Sequence, residues 1–174
     1  GFSERVLLYR QEAGLSLVPS PPAVLIQRMV NAETSGVAFA ADPISGHRSI
    51  AVVSAVYGLG SALVSGEVDA DTYHIDRNGK IVERSIAEKT TAHLWHEEKG
   101  RLETLSITGE KAKAPTLTDA QVLQVAVLAR DVSQHFHRPQ DLEFAFEKDQ
   151  LYLLQSRPIT SLFNLPDPDG AIGI

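Results

Sequence analysis

Four polar side chains near the end of the chain meet if the last two predicted strands form a hairpin. In the run 140–147, Asp141 and Glu143 alternate with apolar residues, so both acids lie on one face of a strand. A slip of one residue against the returning strand would bury these acids, which leaves a single favoured register. We predict that this register pairs Glu143 with Gln155 and Asp141 with Arg157.

The turn of this hairpin is expected to contain three residues, 148–150, before a returning strand over 151–156. Two further pairs follow from that turn length, Glu147 with Leu151 and Ala145 with Leu153.

The paired side chains could bind one ligand together, because opposed side chains in a hairpin have Cβ atoms about 4.5–5.5 Å apart. Mg²⁺ binds through one or two carboxylates together with substrate phosphates. Glu143 and the amide oxygen of Gln155 could hold Mg²⁺, Arg157 could neutralise a phosphoryl oxygen, and Asp141 would orient Arg157. The alternative is a solvated hairpin face whose charges pair with each other, which contributes about 0–1 kcal/mol. The spacing leaves both interpretations open.

Two other hairpins precede this one in the chain. The apolar runs 36–41 and 50–57 flank a turn rich in Asp, Pro and Gly, which predicts two antiparallel strands. The runs 72–76 and 80–85 flank Asn78-Gly79, the strongest short hairpin signal in the sequence. We expect both pairs to belong to an antiparallel sheet.

Helix signals occur at both ends of the chain. Residues 2–13 have helical spacing of apolar residues and are stopped by Gly14. Thr118 and Gln121 form a predicted capping box before a long amphipathic helix that ends near Phe136. Because hairpins outnumber βαβ crossovers, the predicted class is α+β, a mostly antiparallel sheet with flanking helices.

Two further segments complete the predicted elements. The apolar run Ala23–Val30 predicts a buried strand. Residues 90–107 predict two weak strands joined at Lys99-Gly100. Gly58 and Gly60 predict a tight strand-to-helix turn rather than a phosphate cradle, because the dinucleotide fingerprint is incomplete.

Composition excludes several classes of protein. The 174 residues carry 22 acidic and 16 basic side chains, a net charge of −6, which argues against a nucleic-acid-coating protein. Cysteine is absent, so disulfides, thiol nucleophiles and cysteine-ligated zinc are excluded. No apolar run is long enough to cross a bilayer. We expect a cytoplasmic protein with no nucleic-acid or membrane partner.

The chain starts with Gly1 and ends in a stretch rich in Pro and Gly, residues 163–174, which is typical of a linker. We expect residues 1–162 to form one subdomain from a longer protein. A whole protein that has lost its initiator Met remains the alternative.

The ordered set of motifs resembles the nucleotide-binding region of the phosphoenolpyruvate synthase / pyruvate phosphate dikinase family, to which the rifampicin phosphotransferases are related. The resemblance extends from about Tyr9 to Leu162. The segments that carry it are Gln27–Val30, Ser35–Phe39, Tyr57–Gly60, Asp71–Tyr73, Glu88-Lys89, Leu117–Asp119, Asp141–Glu143 and Leu154–Thr160.

The resemblance implies an ATP-grasp fold, of which this chain matches the larger subdomain without the lid. It implies that Glu143 and Gln155 hold Mg²⁺, that Arg157 contacts the transferred phosphates of ATP and that Asp141 supports them. It also implies that the predicted strand with Gln27, Arg28, Met29 and Val30 borders the adenine, although a plain core strand remains an alternative for that segment.

The chain departs from the family pattern in three respects. Ser61 follows Gly58-Leu59-Gly60 where the family usually has Glu. The sequence contains neither the glycine-rich segment of the lid nor the carrier domain's Thr-Ser-His motif. We therefore expect partners in the rest of a parent protein, namely the lid subdomain and the phosphohistidine carrier domain, and an isolated chain that is inactive.

Three functions remain open from the sequence. The resemblance favours the ATP-binding part of a phosphotransferase that phosphorylates a carrier histidine for transfer to pyruvate. The first alternative is the corresponding part of a rifampicin phosphotransferase. The second alternative is a non-catalytic module that senses a nucleotide or binds another protein.

Overall fold

A computed structural model describes residues 4–16, 23–64, 66, 68–96 and 98–164. Strands and short helices alternate along these residues. The helices are α1 (Glu4–Glu12), α2 (Ser61–Val64), α3 (Glu110–Lys113) and α4 (Asp119–His135), followed by a 3₁₀ helix (Thr160–Asn164). The strands are β1 (Thr34–Phe39), β2 (Ala51–Tyr57), β3 (Asp71–Ile75), β4 (Ile81–Ser85), β5 (Thr91–His96), β6 (Arg101–Ser106), β7 (Gln140–Glu147) and β8 (Gln150–Pro158).

Six of the strands form one sheet in the order β4-β3-β2-β1-β7-β8, in which every neighbouring pair is antiparallel. The remaining strands, β5 and β6, form a separate two-stranded ribbon. The α+β class, the three predicted hairpins and the weak strands within 90–107 are confirmed. No helix in the described ranges has the length and apolar character needed to cross a membrane.

Helix α4 begins at the predicted capping box. The Thr118 side chain accepts a hydrogen bond from the Gln121 backbone N–H, and the Gln121 side chain accepts one from the Thr118 backbone N–H at 2.9 Å. Each helix start leaves unpaired backbone donors, so this reciprocal pair satisfies two of them and fixes where the helix begins.

The main core lies between α4 and one face of the sheet. Apolar side chains of α4, such as Val122 and Val125, pack against residues of the central strands. From β7, Leu142, Phe144 and Phe146 point into this core, and the rings of Phe144 and Phe146 meet edge to face. Since side chains alternate along a strand, Asp141 and Glu143 lie on the opposite face.

The prediction of a buried strand over Ala23–Val30 is wrong. Residues 23–32 form no strand, and seven consecutive side chains, residues 23–29, are exposed. Ile26 is 92% exposed, whereas Val30 is buried against the hairpin of β7 and β8. An apolar run becomes a strand only where a neighbouring strand offers backbone partners, and none of the described strands pairs with residues 23–32.

The predicted three-residue turn between β7 and β8 is also wrong. The turn contains two residues, Lys148 and Asp149, both with positive φ, as in a type I′ hairpin. Glu147 therefore pairs with Gln150 and Ala145 with Tyr152, rather than with Leu151 and Leu153.

A bulge restores the predicted register further along this hairpin. The register shifts between Glu143 and Phe144, where Leu154 is the extra residue on β8. The turn has one residue fewer than predicted and β8 has one residue more, so the two differences cancel. Both pairs on which the site prediction depends, Glu143 with Gln155 and Asp141 with Arg157, are confirmed.

The predicted linker 163–174 starts inside the 3₁₀ helix, and its residues 165–174 lie outside the described residues.

Candidate nucleotide-binding site

A groove of about 570 Å³ opens on the face of the sheet opposite α4. This volume is within the range of pockets that hold small molecules, roughly 300–1,000 Å³. Most of its lining is apolar, and Glu143 is the one charged residue among the described residues that form it. The lining comes from the segment before β1, the strands β1, β7 and β8, the turn after β2, helix α2 and the ribbon: Met29, Ser35, Gly36, Val37, Leu59, Gly60, Ser61, Leu63, Leu102, Glu143, Phe144 and Leu154.

Asp141 and Arg157 form an ion pair beside this groove. The Nε–H of Arg157 donates to Oδ2 of Asp141 at 2.8 Å. The Asp141 side chain is 13% exposed and the Arg157 side chain is 62% exposed, so the carboxylate is an anchor for a guanidinium that reaches into solvent. The hydrogen bond and the charge of Asp141 raise the pKa of Arg157, which keeps this side chain cationic.

Glu143 lies two residues from Asp141 on the same strand face, a separation of roughly 7 Å. Gln155 is its cross-strand partner and is exposed. Within the described ranges, neither side chain forms a hydrogen bond or ion pair with another residue. Glu143 nevertheless adds to the negative potential that raises the pKa of Arg157. The four predicted residues are therefore neighbours on one open surface.

The segment before β1 divides the other predicted residues between two cavities. Met29 lines the large groove and is 56% exposed. Gln27, Arg28 and Val30 line only an adjoining cavity of about 100 Å³, which shares Met29 with the groove.

The Arg28 side chain is held by the β7–β8 hairpin rather than by the groove. Its Nη2 donates to the Tyr152 hydroxyl at 3.3 Å and lies 3.7 Å from Glu147, and its guanidinium covers the Tyr152 ring. These contacts fasten the segment before β1 to the sheet. The structure thus brings Met29 together with Glu143, but not the Arg28 side chain.

Several residues in the groove were not predicted as site residues. Ser35 and Gly36 on β1 form part of the wall, and Ser61 and Leu63 of α2 form another part. Ser35 and Gly36 belong to a segment that carries the family resemblance, and Ser61 and Leu63 come shortly after another such segment, Tyr57–Gly60. Leu102 on β6 has no signal in the sequence, since only the packing of the ribbon places it there.

The prediction that Gly58 and Gly60 form a tight strand-to-helix turn is confirmed, since they connect β2 to α2. Gly58 has φ 73°, and a Cβ at this position would lie 2.1 Å from the carbonyl oxygen of His93. The amides of Gly58 and Leu59 donate to the carbonyls of Glu33 and His93 at 2.8 and 2.7 Å. Because these two amides already have partners, they do not cradle a phosphate.

The residues present fit a nucleotide with its metal. No group of three or more His, Asp or Glu side chains gathers to hold a metal by itself in the described part of the chain. Glu143 and Gln155 offer a carboxylate and an amide oxygen instead, the partial set that Mg²⁺ uses when phosphates complete its shell. The apolar groove beside them suits a planar base, and Arg157 suits a phosphate.

The fold and this surface define an α+β domain with a small-molecule groove beside a carboxylate, an amide and an anchored guanidinium. The family model "Pyruvate phosphate dikinase, AMP/ATP-binding domain" matches residues 1–166 of the chain. The chain therefore belongs to the family of AMP/ATP-binding domains of pyruvate phosphate dikinases, as the sequence resemblance implied.

Curated relatives of two kinds align with nearly the whole chain. A rifampicin phosphotransferase from Bacillus subtilis is 41% identical over 166 residues, 95% of this chain and 19% of that protein. A phosphoenolpyruvate synthase from Pyrococcus furiosus is 36% identical, over 92% of this chain and 21% of that protein. A probable phosphoenolpyruvate synthase from Methanocaldococcus jannaschii is 35% identical, over 92% of this chain and 14% of that protein. The chain thus spans about a fifth or less of the length of these relatives.

Proposed function

We propose that the chain is the larger subdomain of an ATP-grasp unit and that it binds MgATP for a phosphotransferase of the phosphoenolpyruvate synthase type. The observation that supports this most is the position of Glu143, which lies in the wall of a nucleotide-sized groove, across from Gln155 and next to the pair of Asp141 and Arg157. If this hairpin face were only a solvated surface, there would be no reason for these four residues to lie beside a groove.

The proposed metal ligands are Glu143 and Gln155. Bound Mg²⁺ would supply positive charge that neutralises phosphoryl oxygens. Neither side chain forms a hydrogen bond or ion pair elsewhere in the described part of the chain, so binding costs no existing contact. The carboxylate and the amide would each contribute an oxygen, and the remaining positions belong to phosphates and water.

Arg157 is the proposed contact for the transferred phosphates. Since its Nε–H is engaged by Asp141, its two terminal amino groups remain as a fork for phosphate oxygens. A charge pair at 4 Å contributes on the order of 4 kcal/mol at an effective dielectric of about 20. Phosphoryl transfer depends mainly on positioning and charge stabilisation, which is what a fixed guanidinium provides.

The adenine is proposed to lie in the apolar part of the groove, against the side chain of Met29. The backbone of Gln27, Arg28 and Val30 would border the base, since this stretch forms the adjoining cavity. The Arg28 side chain would act indirectly, because its contacts with Tyr152 and Glu147 hold the segment in place.

The proposed reaction is of the pyruvate, water dikinase type. ATP would transfer its β- and γ-phosphates to a carrier-domain histidine and leave as AMP, water would release the γ-phosphate as inorganic phosphate, and the remaining phosphoryl group would pass from the histidine to the enol oxygen of pyruvate. The lid subdomain and the carrier domain would be supplied by the rest of a parent protein. This is consistent with the small share of the relatives that the chain covers. The chain on its own would then bind MgATP weakly and turn nothing over.

A second candidate is the corresponding part of a rifampicin phosphotransferase, with the antibiotic as acceptor. The observation that favours it is the identity of 40–41% to proteins of that name from Bacillus subtilis and Bacillus cereus. Both candidates use the same ATP site, and the acceptor is chosen by residues outside this chain. Assaying the parent protein with pyruvate and with rifampicin in parallel separates the two.

The direct test is ATP-dependent self-phosphorylation of the parent protein, followed with ATP labelled separately at the β- and γ-phosphates. Glu143→Ala and Arg157→Ala are each expected to abolish labelling while far-UV circular dichroism stays unchanged. Glu83→Ala on β4, at the opposite edge of the sheet, and Arg101→Ala on the ribbon are the controls and should retain labelling. Retained labelling in Glu143→Ala or Arg157→Ala would refute the roles proposed for these residues.

The same experiment addresses the non-catalytic alternative. A parent protein that binds MgATP but never becomes labelled would be a nucleotide-sensing module. A parent that fails to bind MgATP at all would overturn the proposed site.

A further inference from the structure

Three arginines line a second cavity, on the α4 side of the sheet and thus on the face opposite Glu143. This cavity has a volume of about 350 Å³. Arg48 comes from the loop before β2, Arg77 from the β3–β4 turn and Arg130 from α4. Ser133 and Gln134 add polar groups, and the three other lining residues are alanine or proline.

The charged residues that line this cavity are all arginines. None of its described lining residues is acidic, and neither Arg77 nor Arg130 forms an ion pair in the described part of the chain. Burial lowers the pKa of Arg130, the nearby carboxylate of Asp76 raises it, and the charge of Arg77 lowers it by a smaller amount than Asp76 raises it. The Asp76 carboxylate itself accepts hydrogen bonds from the amides of Asn78 and Lys80.

Arg130 is held in place by the backbone. Its Nη2 donates to the carbonyl oxygens of Ile75 and Asp76 at 2.9 and 2.8 Å. Its Nε and Nη1 have no hydrogen-bond acceptor among the described residues. A guanidinium fixed in this way loses little side-chain entropy when it binds an anion with its remaining donors.

Arg48 is also held by main-chain oxygens, which fixes the opposite side of the cavity. Its Nη1 donates to the carbonyl of Gly46 at 3.1 Å and its Nη2 to the carbonyl of Leu162 at 3.0 Å. The cavity therefore joins two guanidiniums anchored by carbonyl oxygens with Arg77, whose side chain is exposed on a turn.

We propose that this cavity binds a small phosphate-bearing anion, at a site separate from the candidate nucleotide site. Guanidinium groups donate charge-assisted hydrogen bonds to phosphate oxygens, and several together favour a multiply charged anion over chloride. The volume admits an anion of the size of pyrophosphate or a small phosphomonoester. Free phosphate compounds and the phosphate chain of a nucleotide share this chemistry, so the test separates them.

The experiment titrates the full chain with pyrophosphate at constant ionic strength and without Mg²⁺, followed by calorimetry and by backbone NMR. The expected result is saturable binding with shifts of the Arg77, Gln134 and Arg130 amides and none at Glu143. Arg77→Gln and Arg130→Gln should each weaken binding by about tenfold. Since Arg130→Gln also removes bonds to Ile75 and Asp76, Arg77→Gln is the variant that leaves these bonds in place.

Matched controls separate a built site from general attraction to positive charge. Arg101→Gln removes one arginine from the ribbon and should leave pyrophosphate affinity unchanged, and Glu143→Ala should do the same. ATP that shifts the same amides in competition with pyrophosphate would identify a nucleotide phosphate as an occupant. No saturable binding, shifts centred on Glu143, or equal weakening by Arg101→Gln would overturn the proposal.

Discussion

Asp141 fixes Arg157 through the one guanidinium nitrogen that a phosphate does not need. The bond from Nε to Oδ2 is 2.8 Å long and crosses the β7–β8 hairpin at a directly paired position. Asp141 is largely buried whereas Arg157 is largely exposed, so the acid constrains the cation and leaves its terminal amino groups for a ligand. Asp141 is thus a positioning residue for a proposed phosphate contact.

Asp141→Ala in the parent protein should lower the rate of self-phosphorylation by about 10- to 100-fold, because a displaced guanidinium stabilises transferred charge poorly. The loss should be smaller than for Arg157→Ala. Because Arg157→Ala abolishes labelling, the measurement that isolates positioning is the MgATP affinity of the double variant: in an Arg157→Ala background, Asp141→Ala should cause little further loss of affinity. Fully additive losses would show that Asp141 acts independently of Arg157.

The buried pair of Asp71 and Lys89 supports the sheet, and neither residue lines the groove. The two side chains are 0% and 1% exposed, and Asp71 also accepts hydrogen bonds from the amides of Ala87 and Thr116. Lys89→Met leaves this carboxylate buried without its cation, and we expect it to lower the free energy of unfolding by about 3–5 kcal/mol. Urea denaturation of the full chain measures the change.

The control for that variant is a surface pair of the same type. Arg84 pairs with Asp119, with side chains 38% and 66% exposed. Arg84→Met should cost about 1 kcal/mol or less, because solvent screens the pair. Equal effects of Lys89→Met and Arg84→Met would contradict the role given to burial.

Gly36 is the position where β1 tolerates no side chain. A Cβ there would lie 1.9 Å from the carbonyl oxygen of Ser54 and 2.9 Å from Cζ of Phe144. Gly36→Ala should therefore force β1 and β2 apart and destabilise the chain by about 3 kcal/mol or more. Gly60→Ala is the control, since its Cβ would lie 3.4 Å from Oγ of Ser35. Thermal unfolding in which the two variants behave alike would show that β1 can move.

The raised pKa of Tyr73 predicts that the folded chain loses stability at alkaline pH. Burial raises the pKa of Tyr73 from 10.0 to about 12, and the charge of Asp71 acts in the same direction. The folded chain therefore holds the phenol proton more tightly than the unfolded chain. This contribution is complete below pH 10 and is lost as the pH rises through about 12, a total of about 3 kcal/mol.

Unfolding in urea between pH 9 and pH 12 measures that slope. Tyr73→Phe should reduce it, because that variant has no phenol proton to lose. An unchanged slope in Tyr73→Phe would assign the alkaline transition to other groups.

Local signals in the sequence predicted much of the fold, because turns and caps depend on neighbouring residues. Asn78-Gly79, the capping box at Thr118 and Gln121, and the alternation in 140–147 each act within one element or hairpin. The pairing of Glu143 with Gln155 was predicted correctly although the turn was wrong. The missing turn residue reappears as the bulge at Leu154, so the two errors cancel.

Position in the tertiary structure decided the rest. Residues 23–30 are as apolar as a core strand, yet no local property states whether a neighbouring strand will offer hydrogen-bond partners. The groove likewise joins Met29, Ser61, Leu102 and Glu143, which come from four distant parts of the chain. Composition and spacing determined which residues have useful chemistry, but only the packing of the sheet, the ribbon and α2 determined which of them share a cavity.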